Sequence, residues 1–480
     1  MRGPECFGLG ADDPFPAGVR VEIAADVRRL SATVLFGGAP ARMLRLSRQG
    51  AALVAGFTTT PVGEGAPARL ARRLTDAGIA LPRPDGLRAP ADVTVVVPVR
   101  DRPVELAACL ASLGCRHPVT VVDDGSADPA AVAAACRRYG ASLVRRELPG
   151  GPGAARNAGL RAVSSELVAF VDSDCVAAPD AIESLAAHFV DPLVVGVAPR
   201  IVAKTPSPRV SLLDLGARPG PVHPRGAVPY VPAAAVVFRR AALGDGYDER
   251  LRYGEDVDLV WRLVEAGWRI RYEPGVEVGH HDPRGILRRC RRRFFYGTSV
   301  GNLERAHPHA VDHLVVGAAP ALAVGGVLMG MPAVAVSAWA VAAARTYGRL
   351  RPLGVRPRFA LWLSAAQILY AWTALARWCT MFGLPLLAVV SVVHRAVVAS
   401  RGRRCVPRAH RARWAAAALV ASALAADRVA PSGSERRVVV GGIVIDGIVG
   451  EVAYGLGVIT GCARAGVIGP LVPRIGRRGP

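Results

Sequence analysis

The segment LVAFVDSDCVAAPD, residues 167–180, puts two aspartates one residue apart behind an apolar run. Side chains on an extended chain alternate faces, so Asp172 and Asp174 are expected on one side and Ser173 on the other. Two carboxylates on one face repel each other, and an all-oxygen pair of this kind suits a hard divalent cation. A second acidic pair, Glu255 and Asp256, opens EDVDLVWRLVEAGW, which reads as a helix. Acids in a first turn can simply complement the helix dipole. A buried one within reach of a hydroxyl can instead act as a general base. His280 and His281 follow in VEVGHHDPRG, where either can complete a metal or pyrophosphate site or serve only the fold.

Two further stretches carry groups of the same kind. VTVVDDGSADP ends a strand in Asp123 and Asp124, and taken alone it reads as a turn in which Asp124 and Ser126 bond their own backbone. In GGPGAARNAG, Gly150, Gly151 and Gly153 let the backbone approach a ligand, and Arg156 opens a helix where phosphate oxygens are well received. Taken together, the stretches hold pieces for a nucleoside, a phosphate and a metal.

These groups need a frame. From Val93 onward, strand-like runs (VTVVVPVR, PVTVVDDGS, ASLVRRE, LVAFVDSD) alternate with helical ones (PVELAACLASL, PAAVAAACRRYG, GAARNAGLRAV). The alternation predicts an α/β domain over residues 91–300, a mainly parallel sheet with helices on both faces. Ligands bind such sheets beyond the carboxyl ends of the strands, where Pro98, Asp123, Asp124, Asp172 and Asp174 all fall. Ahead of it, residues 1–90 read as a small α+β module: VLFGGAPARMLRLS gives two strands around a Gly-Gly turn, and Ser47 caps a helix. The module vaguely resembles winged-helix peptide-recognition modules; the alternative is a packing appendage. Residues 301–480 form an apolar, arginine-rich helical region.

With 480 residues, 51% of them hydrophobic, the chain has ample core material and is no disordered tail. Its net charge of +22 is almost wholly arginine, since Lys204 is the only lysine. From Arg345 to Pro480, 20 arginines face four acids (Asp427, Glu435, Asp446, Glu451), a balance of 20 − 4 = +16 that points to an anionic partner. Nucleic acid is not the expected one, because no nucleic-acid-binding module accompanies the charge. Nine cysteines without a CxxC pair suggest reduced thiols, and the N-terminal residues offer no signal-like apolar stretch. Leu314–Ala344 and Phe359–Val393 are each long enough to cross a membrane. Their arginine-rich flanks favour the cytoplasmic side, so each would enter and return as a re-entrant hairpin or lie as an interfacial helix. RRCRRRFF, residues 288–295, could rest on anionic lipid, cover the site or be a solvated face. The expected location is the cytoplasmic face of the cell membrane, with the cytoplasm as the alternative.

In this order, VTVVVPVRDRP, VTVVDDGSADP, GAARNAGL, AFVDSD and YGEDVDLVWRL resemble the nucleotide-sugar-binding segments of family-two glycosyltransferases with the GT-A fold, over about residues 92–285. FGGAPARMLRLS, RRRFFYGTS and EVAYGLGV are similar to the mycofactocin-system branch of that family. The resemblance implies that Pro98 and Arg100 line a uridine pocket, with Asp124 accepting from the uracil ring and Asp123 nearby. It also implies that Arg156 supports the nucleotide, that Asp172 lies toward ribose and metal, and that Asp174 is the main ligand of Mn2+ or Mg2+, which His280 could complete. Asp256 would be the base, with Glu255 beside it. The implied reaction is an inverting transfer of glucose from UDP-glucose, β-1,4-linked, to premycofactocin, a small peptide-derived cofactor precursor. Two other readings stand beside it: a membrane glycosyltransferase extending a polyprenyl phosphate or cell-envelope glycan, and a non-catalytic peptide-binding scaffold.

Overall fold

A computed structural model describes residues 3–10, 12–84, 86–87, 91–204, 211–283, 285–385 and 442–476. The chain forms two compact units that divide at Asp282 and Pro283 rather than near residue 300. The helix after the boundary packs against other helices of the second unit.

The first unit opens with β1 (Arg20–Ile23), β2 (Arg28–Ser31), β3 (Val34–Gly37), β4 (Arg42–Arg45), α1 (Arg48–Gly56), α2 (Ala66–Asp76) and β5 (Ala80–Arg83). Strands β2, β3 and β4 make an antiparallel sheet, while β1 pairs with β5. Ser47 caps α1, its hydroxyl accepting the Gly50 N–H at 2.9 Å. Ala68, Ala71 and Leu74 of α2 pack against Phe15, Val54 and Ile79. This module shares one unit with the sheet that follows, and a buried charge cluster fastens the two. Arg72 of α2 gives two hydrogen bonds to Asp191, at 2.9 and 2.8 Å. Asp191 also accepts from Arg271 at 3.3 Å. Burial pushes the Asp191 carboxyl up, but the two arginines outweigh it and hold the group below the usual carboxylate range.

The main sheet is built from β6 (Val93–Val99), α3 (Pro103–Leu113), β7 (Val119–Asp124), α4 (Pro129–Tyr139), β8 (Ser142–Arg146), α5 (Pro152–Ala162), β9 (Leu167–Val171), β10 (Cys175–Ala177), α6 (Ala181–Ala186), β11 (Val194–Ala203), β12 (Gly220–Pro221), β13 (Ala235–Arg239), α7 (Glu255–Glu265) and β14 (Arg269–His280). Its strand order is β10-β14-β11-β13-β9-β6-β7-β8, with β12 alongside β14. Strands β8, β7, β6 and β9 run parallel, β13 reverses between β9 and β11, and β11 is again parallel to β14. This is the expected α/β class, with a mostly parallel mixed sheet. A proline in the first turn of each of α3, α4 and α5 starts the helix without wasting a donor. Alternation along β6 sends Val95, Val97 and Val99 into a core with Leu106, Val132 and Leu185. Val96 faces the other way, beneath α5, where a Cβ on Gly159 would lie 2.3 Å from it.

One local expectation fails, with consequences for the site. The run through Asp174 is not extended: β9 stops at Val171, and residues 172–174 turn, the Cys175 N–H closing on the Asp172 carbonyl at 2.9 Å. The alternation that would put Asp172 and Asp174 on one face of a strand therefore does not apply.

The second unit holds α8 (Ile286–Thr298), α9 (Val300–Ala306), α10 (Ala318–Leu328), α11 (Pro332–Leu350), α12 (Pro357–Trp378) and α13 (Gly442–Ala465). Gly297 and Gly301 meet α13 at Gly457 and Gly461 so closely that a Cβ on Gly301 would sit 2.2 Å from the Gly461 carbonyl oxygen. Small residues four apart on both sides allow this backbone approach, a device common between membrane helices. The uncharged stretch from Leu314 to Ala344 forms the hairpin α10–α11, broken at Gly330 (φ 69°) and restarted at Pro332. Pro357–Gly383 and Gly447–Ala465 are long and apolar enough to cross a membrane. The second of these lies outside the two stretches that the sequence offered as membrane-crossing. The rest of the Phe359–Val393 stretch, beyond residue 385, lies outside the described residues.

Substituting Asp191→Ala leaves the buried Arg72 and Arg271 without their hydrogen-bonded counter-charge, with Asp76 remaining at 3.8 Å from Arg72. We expect it to destabilise the first unit by about 3 kcal/mol, read as a lowered thermal midpoint. Asp76→Ala, which removes the more exposed partner of Arg269, is expected to cost less than about 1 kcal/mol.

Candidate active site

Arg156, on α5, is 4% exposed and gathers the site around itself. One terminal nitrogen donates to Glu255 Oε1 at 2.9 Å, and the other to Asp172 Oδ1 at 2.7 Å. Its guanidinium lies 5.4 Å from the centre of the Tyr247 ring. Burial opposes the charge, yet Asp172, Tyr247, Glu255 and Asp256 outweigh it and raise the pKa further. This corrects the expectation that Arg156 meets phosphate from the start of a helix: two carboxylates and an aromatic face claim it inside the fold.

Glu255 and Asp256 start α7 behind Gly254, which takes the left-handed conformation (φ 79°) that admits the turn. Glu255 is buried, and burial with the neighbouring Asp256 charge pushes its carboxyl up to about 7 against the pull of Arg156. Asp256 is partly exposed. It accepts the Ala233 N–H at 3.2 Å and the Val257 N–H at 2.9 Å. Its pKa is also raised, by burial, against Arg156 and these amides. The pair titrates as a unit. Asp256 is thus the more exposed member of the pair, and Glu255 the buried one held by Arg156.

The other aspartate of the turn has different company. The Asp174 side chain is 7% exposed and forms an ion pair with Arg102, which is 49% exposed. Its second oxygen lies 3.7 Å from His280 Nε2. His280 is fully buried, and neither ring nitrogen has a hydrogen-bond partner; Nδ1 stands 3.4 Å from Asp282. An orphaned imidazole nitrogen beside a carboxylate, with a second carboxylate behind the ring, suits a divalent cation. Among the described residues, no three His, Cys, Asp or Glu side chains gather as a ready-made ligand set. Asp172 therefore does not complete a cluster with Asp174 and His280; its charge is answered by Arg156. His281 is exposed and contributes only a backbone N–H, to the Asp174 carbonyl at 3.1 Å.

At the ends of the parallel strands, Pro98 sits near the end of β6 and Asp123 near the end of β7. Asp123 is fully buried, accepts the Ser126 N–H at 2.9 Å and is paired with Arg145. Asp124 takes three donors: Arg146 at 2.8 Å, the Gly150 N–H at 2.9 Å and the Gly151 N–H at 2.8 Å. The two glycine amides expected to face a ligand are therefore spent on Asp124, and Gly153 packs beside Tyr247 and Glu255, where a Cβ would make ordinary contacts at 3.4 and 3.6 Å. Arg100 is half exposed, 3.5 Å from Asp101. Asp101 (φ 56°) latches the loop, its N–H on Ser126 Oγ at 2.9 Å and its carboxylate on the Ala127 N–H at 2.7 Å. Arg102, Arg145, Arg146 and Tyr247 were not singled out in the sequence. Arg102 stood in the motif VTVVVPVRDRP, whereas nothing local marked Tyr247.

A family model described as Glycosyl transferase family 2 matches residues 94–245. The chain belongs to that family and is a nucleotide-sugar-dependent hexosyltransferase. It is 42% identical over 332 residues, 66% of this chain and 68% of its relative, to the "Pre-mycofactocin glycosyltransferase" of Mycobacterium tuberculosis. An "N-acetylglucosaminyltransferase" of Azorhizobium caulinodans is 28% identical over 243 residues, 45% of this chain and 61% of that protein. Among solved structures, a mannosyltransferase from Pyrobaculum calidifontis in complex with GDP-Man and Mn2+ superposes with a TM-score of 0.38 and 21% identity, over 60% of this chain and 89% of that one. A likeness that distant bears on no ligand of this chain.

A base drawn from the Glu255–Asp256 pair must be ionised to work. As burial raises both carboxyls of the pair, pushing Glu255 up to about 7, kcat/KM is expected to rise with pH through neutrality and to fall in acid as the pair takes up protons. Glu255→Gln removes the neighbouring negative charge and should move this limb to lower pH. A limb that stays in place would show that the two acids do not share their protons.

Proposed function

We propose that the chain is an inverting glucosyltransferase that moves glucose from UDP-glucose to premycofactocin, adding β-1,4-linked glucose. The acceptor is supported by the 42% identity to a protein named for that activity. The observation that carries the chemistry is the buried Arg156, which holds Glu255 and Asp172 while leaving Asp256 partly open at the start of α7. Asp256 takes the proton of the acceptor hydroxyl as its oxygen bonds to the anomeric carbon and the bond to the UDP oxygen breaks. Attack from the face opposite the leaving group inverts that carbon, and no covalent sugar–enzyme species is needed. Arg156 keeps the neighbouring carboxylates in place as Asp256 loses its charge to the proton. Asp174 and His280 would hold Mn2+ or Mg2+, which supplies positive charge against the departing diphosphate. Pro98, Arg100, Asp123 and Asp124 would border the uridine, the latter two by keeping the strand ends and the glycine loop in register.

The reading puts the protein on the cytoplasmic face of the cell membrane. Between Asp312 and Asp427 there is no acidic residue, so arginine is the only formal charge there, and two helices are long and apolar enough to cross. The same features favour a second reading, in which the acceptor is a polyprenyl phosphate or a cell-envelope glycan. The N-terminal module would help hold the acceptor in either case.

Purified protein with UDP-glucose, Mn2+ and premycofactocin is expected to yield hexose additions by mass spectrometry. Asp256→Asn should lower kcat by at least about 100-fold, the usual worth of a general base. A glycosylated polyprenyl phosphate beside unmodified premycofactocin would select the second reading, and unchanged turnover in Asp256→Asn would remove Asp256 as base. In cells, the full chain is expected in the membrane fraction after a high-salt wash; recovery in the soluble fraction would refute the location.

A further inference from the structure

Arg102 occupies an unusual position, because its guanidinium lies on the one carboxylate best suited to hold a dication. Asp174 is nearly buried, with Arg102 on one oxygen and His280 3.7 Å from the other. The backbone under Arg102 is fixed. Asp101 is latched to Ser126 and Ala127, and α3 begins at Pro103. The side chain itself is half exposed, at the end of a long stem. A nearly buried carboxylate left without any positive partner is costly, so something must neutralise Asp174 before a donor arrives. A dication and a guanidinium cannot both sit close to the same oxygen, since they repel. A diphosphate brings new oxygens that a guanidinium engages in paired hydrogen bonds.

We propose that Arg102 is an exchangeable counter-ion: it neutralises Asp174 in the donor-free protein, then gives that carboxylate to the dication and moves onto the diphosphate. Every charge thus stays paired on both sides of the exchange. The exchange rests on the dication site proposed for Asp174 and His280, and it adds a thermodynamic signature. Arg102 competes with metal when metal binds alone and cooperates with it when nucleotide is present. By linkage, UDP and metal then raise each other's affinity by one common factor, part of which belongs to Arg102.

Binding of Mn2+ to the full chain, followed by electron paramagnetic resonance with and without UDP, tests this. In the unsubstituted protein Mn2+ alone is expected to bind weakly and UDP to strengthen it. Arg102→Gln should bind Mn2+ alone more tightly. It should also bind UDP in the presence of Mn2+ about tenfold more weakly, the worth of one charge-assisted hydrogen bond. The mutual strengthening should shrink accordingly, with Arg102→Lys between the two. If Arg102→Gln matches the unsubstituted protein on both counts while Asp174→Asn loses Mn2+, the exchange is wrong and the metal site stands. If Asp174→Asn binds Mn2+ like the unsubstituted protein, the metal site itself is misplaced and the exchange falls with it. Near-ultraviolet circular dichroism of each variant identifies any loss of fold, and Arg102→Lys, which keeps the charge, then decides between the outcomes.

Discussion

One buried positive charge makes the rest of the site possible. Asp172, Glu255 and Asp256 come from the end of β9 and the start of α7, segments more than eighty residues apart, and three carboxylates converging there would repel one another. Arg156 answers them from a third element, α5, with its guanidinium against the Tyr247 ring. The arginine thereby ties the parallel half of the sheet to the helix that carries the candidate base. Its burial also explains the spread of acidities: Glu255 is shielded from water and sits beside another acid, so it holds its proton to about 7 in spite of the arginine.

The two aspartates of the turn divide the remaining work. Asp172, itself 27% exposed, is paired with a guanidinium buried in the fold. Asp174 has one half-exposed partner, Arg102, and one fully buried neighbour, His280. Neighbours in sequence thus end in environments of opposite character. The cause is the turn at residues 172–174, which takes them off the common face an extended strand would have given them.

Much of the frame was legible in the residues because its signals are local. Val-rich runs of strand length, prolines at helix starts and a capping Ser47 each act within a few residues, and the strands and helices fall where those signals set them. Glu255, Asp256, Asp174 and His280 could be picked out since acids and histidines at strand and helix ends have few bland uses together. Expectation failed where a residue's partner lies far along the chain. Nothing near Arg156 announces that it will turn inward, since its partners are Asp172, Tyr247 and Glu255. The glycine amides at 150 and 151 looked free for a ligand only because Asp124, 26 and 27 residues earlier, could not be seen folding onto them. The DxD stretch misled for a different reason: a single peptide hydrogen bond, from Cys175 to Asp172, decides between strand and turn, and composition does not encode it.

Gly159 lies three residues beyond Arg156 on the same helix, and the missing methyl group there sets how deep α5 can settle on Val96. A guanidinium has a fixed length. If the helix rode higher by the thickness of one carbon, the arginine would have to reach further to hold both acids it now joins. The electrostatic heart of the enzyme is therefore gauged by a missing methyl group where α5 meets the sheet, at a position that carries no charge.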